Sequence, residues 1–167
     1  MSGALIELEI LVEKVENAGF GTRLLAWLID MAALAILSFI LTLIFSGVIT
    51  IGSRTDSTIL GFLTATTAFL LAAINLVLQF LYFGLLWSRN GQSFGMTVTN
   101  IRVNRPDGHT LPSFFRAGLR GSVGYWISGL IFGLGYLWAL MDSNNEAWHD
   151  KIFNTRVVVP SPFEVKI

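Results

Sequence analysis

Asp30 is the residue of this sequence best placed to do chemistry, because it is the only charge in the apolar run of residues 24–51. A carboxylate inside a bilayer costs about 2.5–3.5 kcal/mol on insertion scales, so it needs a partner, a wet cavity or a task. Arg23 precedes it by close to two helical turns and so falls on the same helix face. Asn75 and Gln79 share one face of a second apolar run. If the two runs pair as an antiparallel hairpin, Gln79 comes level with Asp30 and Asn75 lies deeper. Asp142 closes a third apolar stretch that begins near Arg116 and Arg120. Such a set could bind a monovalent cation or pass a proton. Asp30 would then titrate, and Arg23 within about 6 Å would hold it ionised. The same side chains serve equally well as interhelical glue in a small bundle. Both readings stay open on the sequence.

The elements that must position these residues follow from composition. The chain has 167 residues, 53% of them hydrophobic and 13% charged. Soluble domains carry about 25% charged residues. Eleven Lys and Arg balance eleven Asp and Glu, leaving no basic footprint for nucleic acid. The absence of cysteine excludes disulfides, thiolate zinc sites and thiol catalysis. These features predict a mainly α integral membrane protein, multi-pass in the cell membrane, with the lipid bilayer as its first partner. Residues 24–51 and 59–87 each exceed the roughly 20 apolar residues a spanning helix needs. The polar loop at 52–58 makes them a hairpin. Trp27, Tyr82 and Trp87 suit an aromatic belt on one side. The first run is too long, and begins too far along the chain, for a cleaved signal peptide.

Two arrangements fit the third stretch, residues 113–141. One is a third full span; the other is a re-entrant hairpin, bent near Ser128 and Gly129, that returns to its own side. With the returning hairpin, ten of the eleven Lys and Arg share one side and only Arg54 lies across. A full span would divide them seven to four, so the positive-inside rule favours the hairpin and a cytoplasmic N-terminus. Residues 96–104 and 154–159 are the most strand-like, and Arg105-Pro106-Asp107-Gly108 is a turn signal. Pairing the two strands satisfies their backbones only if both lie on the same side, which again favours the hairpin and predicts a small cytoplasmic β-cap. The alternation at residues 5–12 could add a strand, or be a helix. The organisation read this way is a cytoplasmic segment at 1–17, a membrane domain at 18–159 and a tail at 160–167.

Other signals are weaker. Gly91-Gln92-Ser93-Phe94-Gly95 matches a nucleophile elbow, but it follows a span and leads towards a strand, so it reads as a juxtamembrane turn. His109 and His149 are far apart and make no convincing metal site, and residues 142–150 lack the spacing of a calcium loop. Gly129 and Gly133 form a small-xxx-small pair that fits either a helix contact or a tight bend. No phosphate-binding glycine loop is present and no cofactor is indicated.

The run Ala18-Gly19-Phe20-Gly21-Thr22-Arg23-Leu24-Leu25-Ala26-Trp27-Leu28-Ile29-Asp30 resembles the opening of the RDD family of membrane proteins, named for one arginine and two aspartates. Arg23 and Asp30 match the first two. Asp142, after Gly133-Leu134-Gly135-Tyr136-Leu137-Trp138-Ala139-Leu140-Met141, matches the second aspartate. The similarity continues through Gly91-Gln92-Ser93-Phe94-Gly95-Met96 and Ile101-Arg102-Val103 to His149-Asp150-Lys151-Ile152-Phe153-Asn154-Thr155-Arg156-Val157-Val158. Asn154 departs from the small residue common there. The resemblance implies a membrane-embedded domain; transport, including cation/proton antiport, is suggested for some members, and others look like accessory or regulatory subunits. The expectation is a small transporter-like protein moving monovalent cations or protons, as a homo-oligomer or with a partner membrane protein. Its candidate residues are Asp30, Arg23, Asp142, Gln79 and Asn75. The alternative is a non-catalytic adaptor whose cap binds a partner protein. An enzyme is not expected, for want of a nucleophile–base pair or metal cluster.

Overall fold

The computed structural model describes residues 16–54, 57–107 and 109–160. Two long helices, α1 (Phe20–Ser53) and α2 (Thr58–Asn90), form the predicted antiparallel hairpin. At about 1.5 Å per residue each is roughly 50 Å long, which exceeds the ~30 Å hydrocarbon core of a bilayer. The most apolar window of α1 has none of its residues buried inside the protein, and that of α2 only 17%. Leucine, isoleucine and phenylalanine therefore cover the outside of the pair, where hydrocarbon rather than water is the solvent.

Helix α2 ends at Gly91, in the left-handed conformation at φ +69°, with its N–H bonded to the Trp87 carbonyl. A Cβ there would stand 2.8 Å from Leu111 and 3.0 Å from the Val103 carbonyl, so only glycine fits this stop. The chain then makes a short helix, α3 (Phe94–Val98), before strand β1 (Arg102–Asn104). The strand expected over 96–104 is thus helix in its first third and strand only in its last. Thr97 and Thr99 hydroxyls bond back to the Ser93 and Gly95 carbonyls and hold the helical turn.

The third apolar stretch starts with α4 (Phe114–Leu119), passes through a π turn at Arg120–Gly124 and continues as α5 (Tyr125–Leu130). It returns through α6 (Leu134–Leu137) and a 3₁₀ turn at Trp138–Leu140. The arms Phe114–Leu130 and Leu134–Leu140 meet at 104°. The bend falls at Ile131–Gly133 rather than near Ser128 and Gly129. Gly133 takes φ +76°, and Phe132, also at positive φ, is 98% exposed at the tip. Gly133 thus belongs to a bend within the chain. The ascending arm fits against α2 because it is glycine-rich: a Cβ at Gly118 would meet the Phe80 ring at 2.6 Å, and one at Gly121 the Phe83 ring at 2.4 Å.

The remaining elements, α7 (Trp148–Ile152) and β2 (Arg156–Val158), close the cap. β1 and β2 pair antiparallel, with Val103 opposite Val157, and Asn17 bridges to Val158. Because the start of α1, the loop after α2 and the C-terminal strand are joined here, the third stretch returns to the side it left. The core lies beneath this cap, where Phe83 packs on Trp87 at 4.3 Å and edge-on to Tyr125 at 5.4 Å. Trp87 is fully buried, so it does not belong to the aromatic belt expected of it. The alternating segment at 5–12 lies outside the described residues.

Candidate functional site

Two buried polar clusters sit at the capped end of the helices. The first surrounds Asp30, which is only 2% exposed. One carboxylate oxygen accepts hydrogen bonds from the Tyr82 hydroxyl at 2.7 Å and the Gly95 backbone N–H at 2.8 Å. The other accepts from the Ser93 hydroxyl at 2.5 Å. Three donors from α2 and the start of α3 thus engage both oxygens. The Gly91–Gly95 motif is the turn that presents two of them, and Ser93 faces an acid rather than a histidine. Gly95 is needed because a Cβ there would lie 2.1 Å from the Ala26 carbonyl. Asp30 therefore clamps the chain that leaves the membrane onto α1.

The second cluster centres on Asp150, which is fully buried. One oxygen accepts from Arg120 Nε at 3.1 Å and Nη2 at 2.5 Å. The other accepts from Arg23 Nη2 and from the Ala147 N–H at 2.9 Å. Arg23 also donates to the Asn145 carbonyl, and Arg120 Nε to Thr155 at 3.0 Å. The Arg120 guanidinium lies over the Trp87 ring, 4.5 Å from its centre. Burial pushes the Asp150 carboxyl up, but Arg23 and Arg120 outweigh it and hold it well below the ordinary carboxylate range. Next to it, His149 is 3% exposed and meets Ser128 Oγ through Nδ1 at 2.9 Å. Burial pushes this imidazole down to about 3, against the opposing pull of Asp150, so it is uncharged at neutral pH.

The five residues named from the sequence are not brought together. Arg23 reaches Asp150, not Asp30, because an arginine at the start of α1 extends towards the cap. Gln79 does not meet Asp30 either. Its amide donates to the Gly121 carbonyl inside the π turn at 3.0 Å and so braces the ascending arm. Asn75 lies deeper, as expected, where it bonds to Ser38 and to the Leu71 carbonyl. Asp142 pairs with Lys151 at 2.5 Å, rather than with Arg116 or Arg120, and accepts the N–H groups of Asn144 and Glu146. That lysine bond, foremost, holds its carboxyl below the usual range.

Asp150 is not among the candidates that the sequence singles out. Its sequence signal is the run His149-Asp150-Lys151, which follows the apolar stretch that ends at Met141. Ser128, His149 and Asp150 stand in the order of a hydrolytic triad. Yet Ser128 is fully buried, and Asp150, already tied to two arginines, is 3.7 Å from His149 Nε2. No group of three or more metal-ligating side chains occurs among the described residues.

Arg23, Arg120 and His149 form one wall of a cleft of about 400 Å³ between the first turns of α1 and the returning arm of the hairpin. Its other walls are apolar, and Phe20, Leu24 and Leu137 line it. A family model described as "RDD family" matches residues 17–154. No curated protein and no solved structure matches the chain.

Proposed function

From the premise that the chain belongs to the RDD family, we propose that it is a non-enzymatic membrane module, an adaptor or regulatory subunit, rather than an ion carrier. It is a small membrane protein, and on the positive-inside argument its cap faces the cytoplasm, where a partner protein would dock. Asp30 carries this reading. An ion-binding carboxylate keeps a path to water for its ion, whereas this one is 2% exposed and both its oxygens already accept from donors of its own chain. In the Arg23–Asp150–Arg120 cluster the acid is paired on both oxygens by arginines of the chain itself, and the cluster joins α1, the ascending arm and α7. Both clusters sit where non-adjacent segments must be held against one another, which is what a docking platform requires.

The test is flux through proteoliposomes containing the purified protein, over a range of pH and with Na⁺, K⁺ and Li⁺ as cations. No coupled flux is expected from wild type, and Asp30→Asn is expected to lower thermal stability only. A cation or proton flux that disappears in a folded Asp30→Asn protein would overturn the adaptor reading in favour of transport.

A further inference from the structure

The cleft beside α1 has the chemistry of a headgroup site. The charged side chains among its lining residues are both arginines, and their shared counter-charge, Asp150, stands behind them rather than in the wall. Asp30 faces the Ser93–Gly95 turn instead. Arg120 is 1% exposed, yet its Nη1 has no hydrogen-bond partner among the described residues; the same holds for Trp27 Nε1 in the neighbouring wall. A buried guanidinium N–H and a buried indole N–H left without acceptors both favour an oxygen-rich anion. Helix α1 starts at this cleft with no side-chain cap and no acidic residue in its first turn, so its positive end is uncompensated.

The remainder of the lining is suited to hydrocarbon. Phe20, Leu24 and Leu137 flank the arginines, and a second opening of about 440 Å³ shares Trp27, Tyr125 and Tyr136 and continues to Met31 and Leu130. A water-soluble anion would leave these surfaces empty, whereas an acyl chain would cover them. The cleft lies at the capped end of the helix pair, the depth at which lipid phosphates sit, and basic pockets between membrane helices suit such groups.

We propose that the cleft binds one acidic phospholipid, its phosphate against Arg23 and Arg120 and an acyl chain along Phe20, Leu24 and Leu137. The inference rests on the binding-module reading above, and it gives that module a second occupant besides a protein partner. A bound lipid would tie α1 to the returning arm, so the composition of the leaflet would set how firmly the cap is held.

The test is native mass spectrometry of the detergent-purified protein titrated with phosphatidylglycerol, phosphatidylcholine, a fatty acid or inorganic phosphate. A thermal melt accompanies each titration. One phosphatidylglycerol per chain should be retained at least tenfold more tightly than phosphatidylcholine, and it alone should raise the melting temperature. Arg23→Gln should reduce retention, but it also disturbs Asp150, so Leu24→Trp is the decisive variant. Leu24 lines the cleft, is partly exposed and takes no part in the polar cluster. Filling the cleft there should cut retention tenfold or more while leaving the lipid-free melt unchanged. Equal retention of both phospholipids, stabilisation by phosphate or fatty acid alone, or undiminished binding by Leu24→Trp would each overturn the proposal. Absence of lipid preference together with absence of flux would sink only this inference, whereas flux would sink the module reading itself.

Discussion

The two ends of the α1–α2 hairpin are built on different principles. At the capped end, Asp30, Asp150, Arg23 and Arg120 are held by side-chain hydrogen bonds and ion pairs, and segments far apart in sequence meet there. At the other end the two helices run alone. Ile44, Ile59, Phe62 and Phe69 are exposed, and a polar contact between the helices runs from Ser38 to Asn75. The difference lies in what the solvent supplies. In hydrocarbon an apolar helix is already satisfied and needs no partner, since lipid chains are as apolar as leucine. Where the chain re-enters, bends and pairs strands, backbone and polar side chains have no such solvent and must find each other. The polar residues of this protein are thus concentrated where the fold would otherwise be undetermined.

The sharpest way to test that contrast is to remove the central acid of the cap. Asp150→Asn leaves two buried guanidiniums facing a neutral amide. Breaking a buried ion pair from one side costs about 3–5 kcal/mol. A large fall in melting temperature in detergent is expected, and a melt within a degree of wild type would show that the cluster does not hold the cap. Asp30→Asn is the next largest. The amide keeps the shape but loses the charge that strengthens three hydrogen bonds, and it offers a donor where an acceptor is needed. A loss of about 2 kcal/mol is expected. Protection of the Gly95 amide from hydrogen exchange should fall with it, because that amide donates directly to Asp30.

The same end of the molecule should also be the acid-sensitive one. His149 is held down to about 3 when folded, whereas an unfolded histidine titrates near 6.5. Between those values the unfolded chain binds the extra proton, so stability is full above about pH 6.5 and is lost as pH falls. The slope is about 1.4 kcal/mol per pH unit. Asp150, also held low, adds a loss only below the ordinary carboxylate range near pH 4. Melts recorded from pH 7 to pH 4.5 should therefore slope in wild type and flatten in His149→Gln. An unchanged slope in that variant would place the acid sensitivity elsewhere.

How much of this was legible in the sequence follows the same division. The spans at 24–51 and 59–87 could be read because hydropathy summed over some twenty residues needs no knowledge of partners. The return of the third stretch could be read because lysine and arginine placement and the pairing of two strands are properties of whole segments. The polar pairings could not. Arg23 and Asp30 share a helix face, but seven residues separate them by about 10 Å along the axis, too far for a direct bond. Arg23 instead finds Asp150, 127 positions away, and no periodicity reports a contact of that range. The short α3 was hidden for a related reason. Its threonine and valine, with Thr99 just after them, favour a strand locally, and the helix is fixed by Asp30 receiving the Gly95 amide from another part of the chain.

The smallest effect is expected at the open end, and it probes the contrast from the other side. Asn75 accepts from Ser38 and donates to the Leu71 carbonyl one turn below it, so part of its hydrogen-bonding capacity is spent within its own helix. An interhelical hydrogen bond in a membrane is worth about 0.6 kcal/mol on average, because the separated helices find other partners. Asn75→Leu adds apolar surface that lipid accepts and leaves one serine hydroxyl, which can turn to its own helix backbone. A change in melting temperature close to the error of the measurement is therefore expected. A loss comparable to that of Asp30→Asn would mean that Ser38–Asn75 is the clasp of the hairpin and that the open end, too, is held by its polar side chains.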